Sequence, residues 1–451
     1  MNAPAPESAA VAAHVAPEPP APTGDLGWDA SALARYVRAA EAPLETLPPR
    51  AQRTADQERV AQAALDAART ARTAFLHRHV EGVYDSLTDR RAKHPRLEAL
   101  IRRAALLFPG LVPTREQMAA EAAVPQAGKE GREIDQAIFC HAVLASPTAG
   151  PHLLASMRRP TERALGLLEG FRRDGKLELE AVHLERRGPG AHLTIVNEHC
   201  LNAEDNQHVE DMETAVDLAL LDPEVRVGVL RGGTMTHPRY RGRRVFSAGI
   251  NLKELHGGRI SYVDFLLRRE IGYLAKIQHG LAPRNGPSWP PVLREKPWAA
   301  GVDAFAIGGG AQILLVLDRV IAAADAFVSL PAAQEGIIPG VSNLRLGLNV
   351  SGRLPAQMIL WDRKIPVTDP DAAALVDEVV EPEALDAALE QAVERLCAPA
   401  VLVNRRMLTL AREPLEALRG YMAEFALHQG LRLYEDDVLA KVRRFSTTGA
   451  T

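Results

Sequence analysis

The chain is poor in cysteine and in aromatic residues. Three cysteines are scattered over 451 residues, and only 5% of the residues are Phe, Trp or Tyr. An odd, widely spaced set of three argues against a disulfide framework and a zinc site, and it fits a reducing compartment. A strong charge excess is also lacking, because the net charge is -4, so nothing indicates a nucleic-acid partner.

Several familiar segments and motifs are missing as well. The N-terminus lacks the basic start and apolar run of a secretory signal, and no apolar run is long enough to span a bilayer. We therefore expect a cytoplasmic protein without a membrane partner. No GxGxxG, P-loop or GxSxG motif occurs, and no His/Asp/Glu cluster has recognisable metal-ligand spacing. The sequence thus predicts neither a dinucleotide nor a metal.

Four stretches differ in pattern. Residues 1–25 are rich in Ala and Pro and are predicted to be disordered. Residues 26–186 have a helical pattern with few strand-like runs, which predicts an all-helical N-terminal domain. Residues 187–370 alternate strand and helix patterns, which is typical of an α/β core. Residues 371–451 are helical again, and we interpret them as a region for oligomerisation.

Individual elements can be predicted within this frame. Leu97, Leu100, Ile101 and Ala104 fall on one stripe of a helix, and Thr161 is a suitable cap for the helix after it. Helical patterns also cover 204–221 and 261–281, and a single helix is expected over 414–444. WAAGVDAFAI, residues 298–307, is predicted to be one buried strand.

Two glycine segments stand at predicted strand-to-helix junctions. FSAGINLKEL covers residues 246–255, and a run of three glycines covers 308–310. A helix start offers free N–H donors, and glycine lets a ligand approach the backbone closely. Two such amides aimed at one point form an oxyanion hole. Tight turns for strand–helix packing are the alternative for either segment alone.

These segments resemble the crotonase (enoyl-CoA hydratase/isomerase) superfamily. The matching motifs are FSAGINL, AAGVDAFAIGGGAQILLVLDRVIAA and LPAAQEGIIPGVSNLRL, in the family's order and spacing, within about residues 190–400. The resemblance implies a ββα-superhelix core, a CoA-thioester substrate and trimeric assembly. It also implies that backbone amides of Ile250 and Gly309 hold the thioester oxygen and stabilise an enolate.

The chain is most similar to one branch of that superfamily, the 3,5-dihydroxyphenylacetyl-CoA 1,2-dioxygenases of glycopeptide-antibiotic pathways. NEHCLNAEDNQHVEDMETAVDLALLDPEVRVGVLRGG, MTHPRYRGRRVFSAGINL and the long helical N-terminal half carry this likeness. It implies the conversion of (3,5-dihydroxyphenyl)acetyl-CoA and O2 to 3,5-dihydroxyphenylglyoxylate and CoA. By the same resemblance the enzyme needs no metal and no organic cofactor.

The likeness also assigns side chains. Glu204 and Gln312 match positions that hydrogen-bond the ring hydroxyls, and Arg269 matches a contact to the phenol end, although Arg268 adjoins it. Ile337 and Ile338 match the lining of an oxygen pocket. Without the resemblance, Glu204 would be read as a helix-dipole partner, Gln312 as a core amide, the arginines as a solvated helix face and the isoleucines as core.

The acids of a hydratase are absent. Gln312 and Ala332 occupy the positions where hydratases carry two glutamates, and an amide cannot act as a general acid or base. We therefore predict enolate chemistry without hydration. Glu335 lies close to Ala332 in sequence and is a carboxylate that a small shift could bring into the site. No side chain is assigned as the base that removes the α-proton.

Two further groups of residues, a basic loop and two histidines, each have two interpretations. The basic loop HPRYRGRR is a candidate contact for the CoA phosphates or adenine through Arg239, Arg241, Arg243 and Arg244, or else a solvated loop or subunit contact. His199 and His208 lie near Glu204 in sequence, and we interpret them as surface histidines rather than general bases.

Two other functions remain open on the sequence alone. A crotonase-type isomerase or thioester hydrolase on another acyl-CoA would need no O2, and a role for Glu335 would favour it. A crotonase-like scaffold without catalysis would also explain the missing acids. A trimer or hexamer is expected in each case, with the helical N-terminal half covering the substrate entrance or joining two trimers.

Overall fold

The computed structural model describes residues 18–283, 289, 292–350 and 352–448, with backbone alone at 349 and 445–448. The first part of the chain is helical, as predicted. Its helices are α1 (Leu26–Glu41), α2 (Ala55–Thr88), α3 (Leu97–Leu107), α4 (Arg115–Ala122), α5 (Arg132–Ala145), α6 (Ala149–Met157) and α7 (Glu162–Asp174). The predicted disorder of residues 1–25 concerns mostly 1–17, which lie outside the described residues.

Local signals explain where several of these helices begin and which face they bury. The Thr161 hydroxyl accepts a hydrogen bond from the Ala164 N–H and caps α7, as predicted. Thr54 caps α2 in a capping box with Gln57. The predicted stripe of α3 is buried in the core, with each of its four members at most 6% exposed.

Two sheets follow the helices. The strands are β1 (Lys176–Glu178), β2 (Val182–Arg187), β3 (Gly190–Ile195), β4 (Val227–Gly232), β5 (Trp298–Val302), β6 (Phe305–Ile307), β7 (Arg319–Ala323), β8 (Phe327–Ser329), β9 (Ile365–Pro366) and β10 (Glu378–Val380). The larger sheet has the order β1-β2-β3-β4-β5-β7-β10, antiparallel up to β3 and parallel from there on. The smaller sheet has the order β6-β8-β9.

Three predictions about strands were wrong in detail. β1 and most of β2 lie within the stretch to residue 186 that was predicted to be helical, and both belong to the larger sheet. β10 lies within residues 371–451, which were also predicted to be helical, and it pairs with β7 of the same sheet. The expected single strand over 298–307 is two strands in two different sheets. The chain turns at Asp303, whose carboxylate pairs with Arg231 of β4. This corner directs β6 toward the glycines at 308–310.

The remaining helices surround and follow the sheets. They are α8 (Asn206–Leu221), α9 (Leu252–His256), α10 (Ala275–His279), α11 (Gly309–Leu314), α12 (Ala332–Glu335), α13 (Ser342–Asn349), α14 (Leu354–Leu360), α15 (Leu385–Leu396), α16 (Pro399–Arg412), α17 (Leu415–Arg432) and α18 (Asp436–Thr448). The single helix expected over 414–444 is therefore two, since the chain breaks between α17 and α18.

The helix expected over 261–281 is largely π-helical. Tyr262–Leu267 and Glu270–Leu274 have π-helical hydrogen bonding, whereas Arg268, Arg269 and the end, α10, are α-helical. Gly272 has φ -94° and ψ -106°, which is outside the helical region. A β-carbon there would lie 2.9 Å from Glu213 Oε1. π-Helical segments of this kind are frequent at functional sites.

The C-terminal helices pack back onto the first half of the chain. α17 lies against α5, and Met422, Phe425 and Ala426 of α17 are at most 4% exposed in the same hydrophobic core as Phe139 of α5. α17 also crosses the segment that follows α12. α17 thus packs with the helices of the first part of the chain, whereas α15 packs on β4, β5 and β7.

Candidate active site

The two glycine segments meet in the structure. Gly249 and Gly308 have φ values of 84° and 51°, which favour glycine. A β-carbon at Gly249 would lie 3.0 Å from the Gly309 nitrogen, so the turns touch backbone to backbone. Within the described part of the chain, the N–H groups of Ile250 and Gly309 have no hydrogen-bond acceptor. Two free donors at touching turns are the elements of an oxyanion hole.

Beside these turns lies a group of polar side chains that we call the cavity cluster. Its members are Glu204, Arg269, Glu270, Tyr273 and Gln312. Arg269 is at the centre: Nε donates to Glu204 Oε2 at 2.6 Å, and Nη1 donates to Glu270 Oε1 and to Gln312 Oε1, both at 2.7 Å. Its Nη2 donates to the Gly309 carbonyl oxygen at 2.7 Å. The guanidinium thus connects the polar side chains to the second glycine turn.

Each member is held by a particular backbone feature. Glu204 precedes the Asp205 cap of α8, and its N–H donates to the Gly249 carbonyl oxygen at 2.7 Å, so it is fixed to the first glycine turn. The sequence pattern indicated that Glu204 opens this helix, but α8 begins two residues later, at Asn206. Gln312 lies in the first turn of α11, and Ala311 alone separates it from the glycines. Arg269 lies between the two π-helical segments.

The charges in the cavity cluster are strongly coupled. Burial alone would raise the pKa of the Glu204 carboxyl, but Arg269 and a hydrogen bond from the Tyr273 hydroxyl hold it below its usual value. Burial opposes ionisation of Arg269, yet Glu204 keeps its pKa well above the ordinary value. Glu204 is therefore a carboxylate and Arg269 a cation, and both are at most 4% exposed.

The neighbouring Arg268 belongs to a different group, which we call the inner cluster. Its members are Arg96, Glu213, Asp217, Arg268 and Lys276. Glu213 accepts ion pairs from Arg96 at 2.6 Å, Arg268 at 2.7 Å and Lys276 at 2.8 Å. Lys276 also contacts Asp217 at 2.7 Å. Of the two adjacent arginines, only Arg269 reaches the glycine turns.

A small cavity separates the cavity cluster from the segment after α12. Its free volume is about 30 Å³, enough for a water-sized molecule but not for an aromatic ring. The walls include Ile250, Gly309, Ile337 and Ile338. Both isoleucines thus line the same cavity as the glycine turns. A ring could enter this cavity only if lining side chains moved apart.

Glu335 also lines this cavity. It is half-buried, ends α12 and makes no ion pair or side-chain hydrogen bond within the described residues. Burial, and after it the charge of Asp362, raises the pKa of the Glu335 carboxyl to about 8. The sequence flagged this residue as a carboxylate near the site, and the structure places it there. Ala332 lies on the same short helix but is not part of the cavity wall.

The basic loop does not border the cavity. Arg243 pairs with Asp325, and Arg244 donates to the Gly232 carbonyl oxygen at 3.1 Å. Arg239 and Arg241 are exposed. The loop's contact with CoA therefore stays a prediction.

The histidines differ from each other. His199 is exposed as expected, but the interpretation of His208 as a surface residue was wrong, because it is 0% exposed. Its ring lies near Glu204, and burial lowers the pKa of the imidazole despite that carboxylate. Its backbone N–H donates to the capping Asp205 Oδ1 at 2.9 Å.

Sequence reasoning missed two members of the cavity cluster. Glu270 accepts from Arg269 and from the Val341 N–H at 3.1 Å, and Tyr273 donates to Glu204 at 3.1 Å. Their positions directly after Arg269, in RREIGYL, were the available signal. In the part of the chain that the structure describes, no cluster of three or more His, Cys, Asp or Glu is arranged to hold a metal ion. No helix among those residues is long and apolar enough to cross a membrane.

Known proteins are similar to this chain to different extents. A model of the enoyl-CoA hydratase/isomerase family matches residues 289–421. A (3,5-dihydroxyphenyl)acetyl-CoA 1,2-dioxygenase of Amycolatopsis orientalis is 56% identical over 420 residues, 93% of this chain and 96% of that protein. A probable enoyl-CoA hydratase of Rhizobium meliloti (strain 1021) is 26% identical over 58% of this chain and 93% of its own length. The crystal structure of carnitinyl-CoA hydratase from Mycobacterium avium aligns with a TM-score of 0.49 at 23% identity, over 60% of this chain and 97% of that one.

Proposed function

This chain belongs to the enoyl-CoA hydratase/isomerase (crotonase) family, which confirms the fold class expected from its motifs, and we propose that within this family it is a (3,5-dihydroxyphenyl)acetyl-CoA 1,2-dioxygenase. Near-full-length similarity to an enzyme of that name supports the assignment. The observation that carries it in the structure is the cavity cluster, in which Glu204, Arg269 and Gln312 converge beside two free backbone amides.

The thioester oxygen binds to the N–H groups of Ile250 and Gly309. Negative charge on this oxygen grows as the α-proton leaves, and preorganised donors stabilise that charge most in the transition state. The dipole of α11 adds little to the stabilisation of this charge, because α11 is a short helix. The amides themselves supply the stabilisation, and the missing side chain at Gly309 lets Glu204 and Arg269 lie directly against the turn.

The dihydroxyphenyl ring binds in the space lined by Glu204, Arg269 and Gln312. A carboxylate accepts a hydrogen bond from a ring hydroxyl, and an amide can donate or accept. Arg269 holds Glu204 ionised and thereby keeps it an acceptor. Rings without hydroxyls would leave these buried groups unpaired, which disfavours their binding.

The enolate then reacts with O2 without help from a metal or an organic cofactor. Its electron pair forms the bond from the α-carbon to oxygen, and the resulting peroxide attacks the thioester carbonyl and expels CoA. Loss of the second α-proton breaks the O–O bond and gives the arylglyoxylate, so both oxygen atoms stay in the product. Ile337 and Ile338 form the apolar cavity wall beside which O2 binds.

We further propose a trimer or hexamer. α16 exposes Val403, Met407, Leu408 and Leu410, each at least 49% exposed. A cluster of this kind is typical of an interaction surface. Light scattering at several protein concentrations tests this, and a monomer at every concentration would refute it.

Oxygen uptake tests the function. The protein is incubated with (3,5-dihydroxyphenyl)acetyl-CoA in chelator-treated buffer while dissolved O2 and free CoA are measured together. We expect one O2 consumed per CoA released, with no effect of the chelator. CoA release without oxygen uptake would show a hydrolase instead, and tight binding without either signal would support the scaffold.

A further inference from the structure

The Glu335 carboxylate faces the oxyanion hole. A β-carbon placed on Gly308 would lie 3.3 Å from Glu335 Oε1 and 3.7 Å from Oε2. Gly308 directly precedes Gly309, whose N–H is one of the two donors. The carboxylate and the donors therefore border the same small cavity, and the α-carbon of a bound thioester is one bond from the carbonyl carbon that the donors flank.

The other carboxylates at the cavity are already engaged. Glu204 is paired with Arg269 at 2.6 Å and accepts from Tyr273, and Glu270 accepts from Arg269 and the Val341 N–H. The contacts of Glu204 stabilise its ionised form and make it a weak base, and both oxygens of Glu270 are occupied by donors. Among the described residues that line the cavity, Glu335 is the carboxylate without an ion pair.

Surrounding helices fix the position of Glu335 through the backbone next to it. Arg432 of α17 donates to the Gly336 carbonyl oxygen at 2.7 and 2.9 Å. Lys441 of α18 donates to the Ala333 carbonyl oxygen at 2.9 Å. The Gln334 N–H donates to Asp362 Oδ1 at 3.3 Å. Arg432 and Lys441 are occupied by these carbonyls and by Asp437, so neither cation neutralises the Glu335 carboxylate.

We propose that Glu335 is the base that removes the α-protons of the arylacetyl thioester. This rests on the proposed function for the identity of the substrate. In each removal the Cα–H bond breaks and the proton passes to a Glu335 oxygen. In the first removal, the electron pair becomes the C–C double bond of the enolate and the charge moves to the thioester oxygen at Ile250 and Gly309. The CoA thiolate is the acceptor that takes the first proton from Glu335 before the second removal.

The environment of Glu335 suits this work. Burial and Asp362 raise the pKa of the carboxyl to about 8, and a base is more effective the closer its pKa lies to that of the carbon acid. At pH 7 about one carboxyl in ten is ionised at such a pKa. The rate of proton removal should therefore rise with pH through a midpoint near 8.

Hydrogen–deuterium exchange separates this step from the reaction with oxygen. Wild type, Glu335→Gln, Glu335→Asp and Gln334→Ala are incubated without O2 in D2O with (3,5-dihydroxyphenyl)acetyl-CoA, and deuterium at the α-carbon is measured by mass spectrometry. We expect Glu335→Gln to slow exchange by about 100-fold or more, with Glu335→Asp intermediate. Gln334→Ala, an exposed neighbour, should exchange like wild type. Binding of the thioester, measured by anaerobic titration, should stay within threefold (about 0.7 kcal/mol) in every variant.

A second variant reports on the position of the group. Asp362→Asn removes the charge that disfavours ionisation of Glu335 and keeps a side chain suited to the left-handed backbone at this residue. The midpoint of the pH profile of exchange should move to lower pH. Exchange by Glu335→Gln at the wild-type rate, or an unchanged midpoint in Asp362→Asn, would overturn the proposal. If the wild type exchanges deuterium but consumes no O2 in the oxygen-uptake assay, the dioxygenase function is refuted. The exchange rates of the same variants then still decide whether Glu335 is the base.

Discussion

The cavity cluster and the inner cluster are built from the same kinds of residue, and they lie on two sides of one helical segment. In the inner cluster Glu213 is shared by three cations, and Asp217 also accepts from the Thr161 N–H at 2.7 Å. In the cavity cluster one cation, Arg269, is shared by two carboxylates and an amide. The first ties the N-terminal helices to the core, with Arg96 and Arg268 at the edge of an open cleft, whereas the second borders the small cavity at the glycine turns.

The difference lies in the space around the charges. The free amides of Ile250 and Gly309 lie beside the cavity cluster, whereas the central side chains of the inner cluster, Glu213, Asp217 and Lys276, are 0% exposed and contact one another. Both clusters contain buried carboxylates held ionised or neutral by their neighbours, so burial and a shifted pKa alone do not identify an active site. The active site is identified here by unpaired backbone donors that border a cavity.

The largest effect should come from breaking the inner cluster. Lys276→Met leaves Glu213 and Asp217 buried side by side, and loss of one partner of a buried ion pair costs about 3–5 kcal/mol. We expect a correspondingly lower free energy of unfolding in urea. The variant that still folds at low temperature should keep kcat/KM within threefold. A loss of activity larger than the loss of folded protein would show that the two clusters are not separate.

Breaking the cavity cluster should lower activity more than stability. Arg269→Lys keeps the charge but loses the planar fork that bonds Glu204, Gln312 and the Gly309 carbonyl. Hydrogen bonds to charged groups contribute about 1.5–3 kcal/mol each, so we expect kcat/KM for oxygen uptake to fall by about 100-fold. The matched control is Arg268→Lys, where Glu213 keeps its other two cations and activity should change less than threefold. Equal effects of the two substitutions would contradict the assignment of Arg269.

A smaller effect is expected at Gln312. Gln312→Ala removes one acceptor from Arg269 and one contact to the ring, while Glu204 and Glu270 still hold the guanidinium. We expect kcat/KM to fall by about tenfold, mostly through KM, and the thermal midpoint to stay within a few degrees. Comparing dihydroxylated with unsubstituted phenylacetyl-CoA shows whether the loss is specific to ring hydroxyls. A variant that discriminates between them as well as wild type would exclude Gln312 from ring recognition.

The smallest effect concerns stability and pH. The pKa of Glu335 is about 8 in the folded protein, against an ordinary value of 4.5. Between these values the folded state holds a proton that the unfolded state has released, so this contribution to stability is present below about pH 4.5 and is lost as the pH rises through 8. Glu335→Gln lacks this dependence. Its thermal midpoint relative to wild type should therefore increase from pH 5 to pH 9, whereas a constant difference would contradict the shifted pKa.

Much of the fold followed from the sequence because its signals are local. The stripe of α3, the Thr161 cap and the alternation of strands and helices in the α/β core were all predicted. The break at Asp303 was not, since the apolar run through 298–307 carries no local signal for a change of sheet. β1 and β2 were missed although Leu177, Val182 and Leu184 alternate with charged residues, because the preceding helical pattern extended over them.

The site divides in the same way. Glu204, Arg269 and Gln312 could be named from motifs, but the choice between Arg268 and Arg269 could not. It depends on the π-helical hydrogen bonding around Gly272, which sets the angle between successive side chains and has no reliable sequence signal. Nor could the sequence show that Arg432 and Lys441 hold the turn beside Glu335, since these contacts join segments about a hundred residues apart.

The crossing of α17 has a consequence for how the protein is made. A ribosome adds about 5–20 residues each second, so α5 leaves the exit tunnel well before its partner α17 has been synthesised. Tyr421, Gln429 and Arg432 then close over Gly340, Ile338 and Gly336 in turn. Before α17 is synthesised, a nascent chain can form both glycine turns, but the segment 336–340 opposite them lacks its contacts with α17. Premature release anywhere before α17 should therefore yield a polypeptide with an exposed apolar face on α5, a substrate for chaperones and proteases rather than a partly active enzyme.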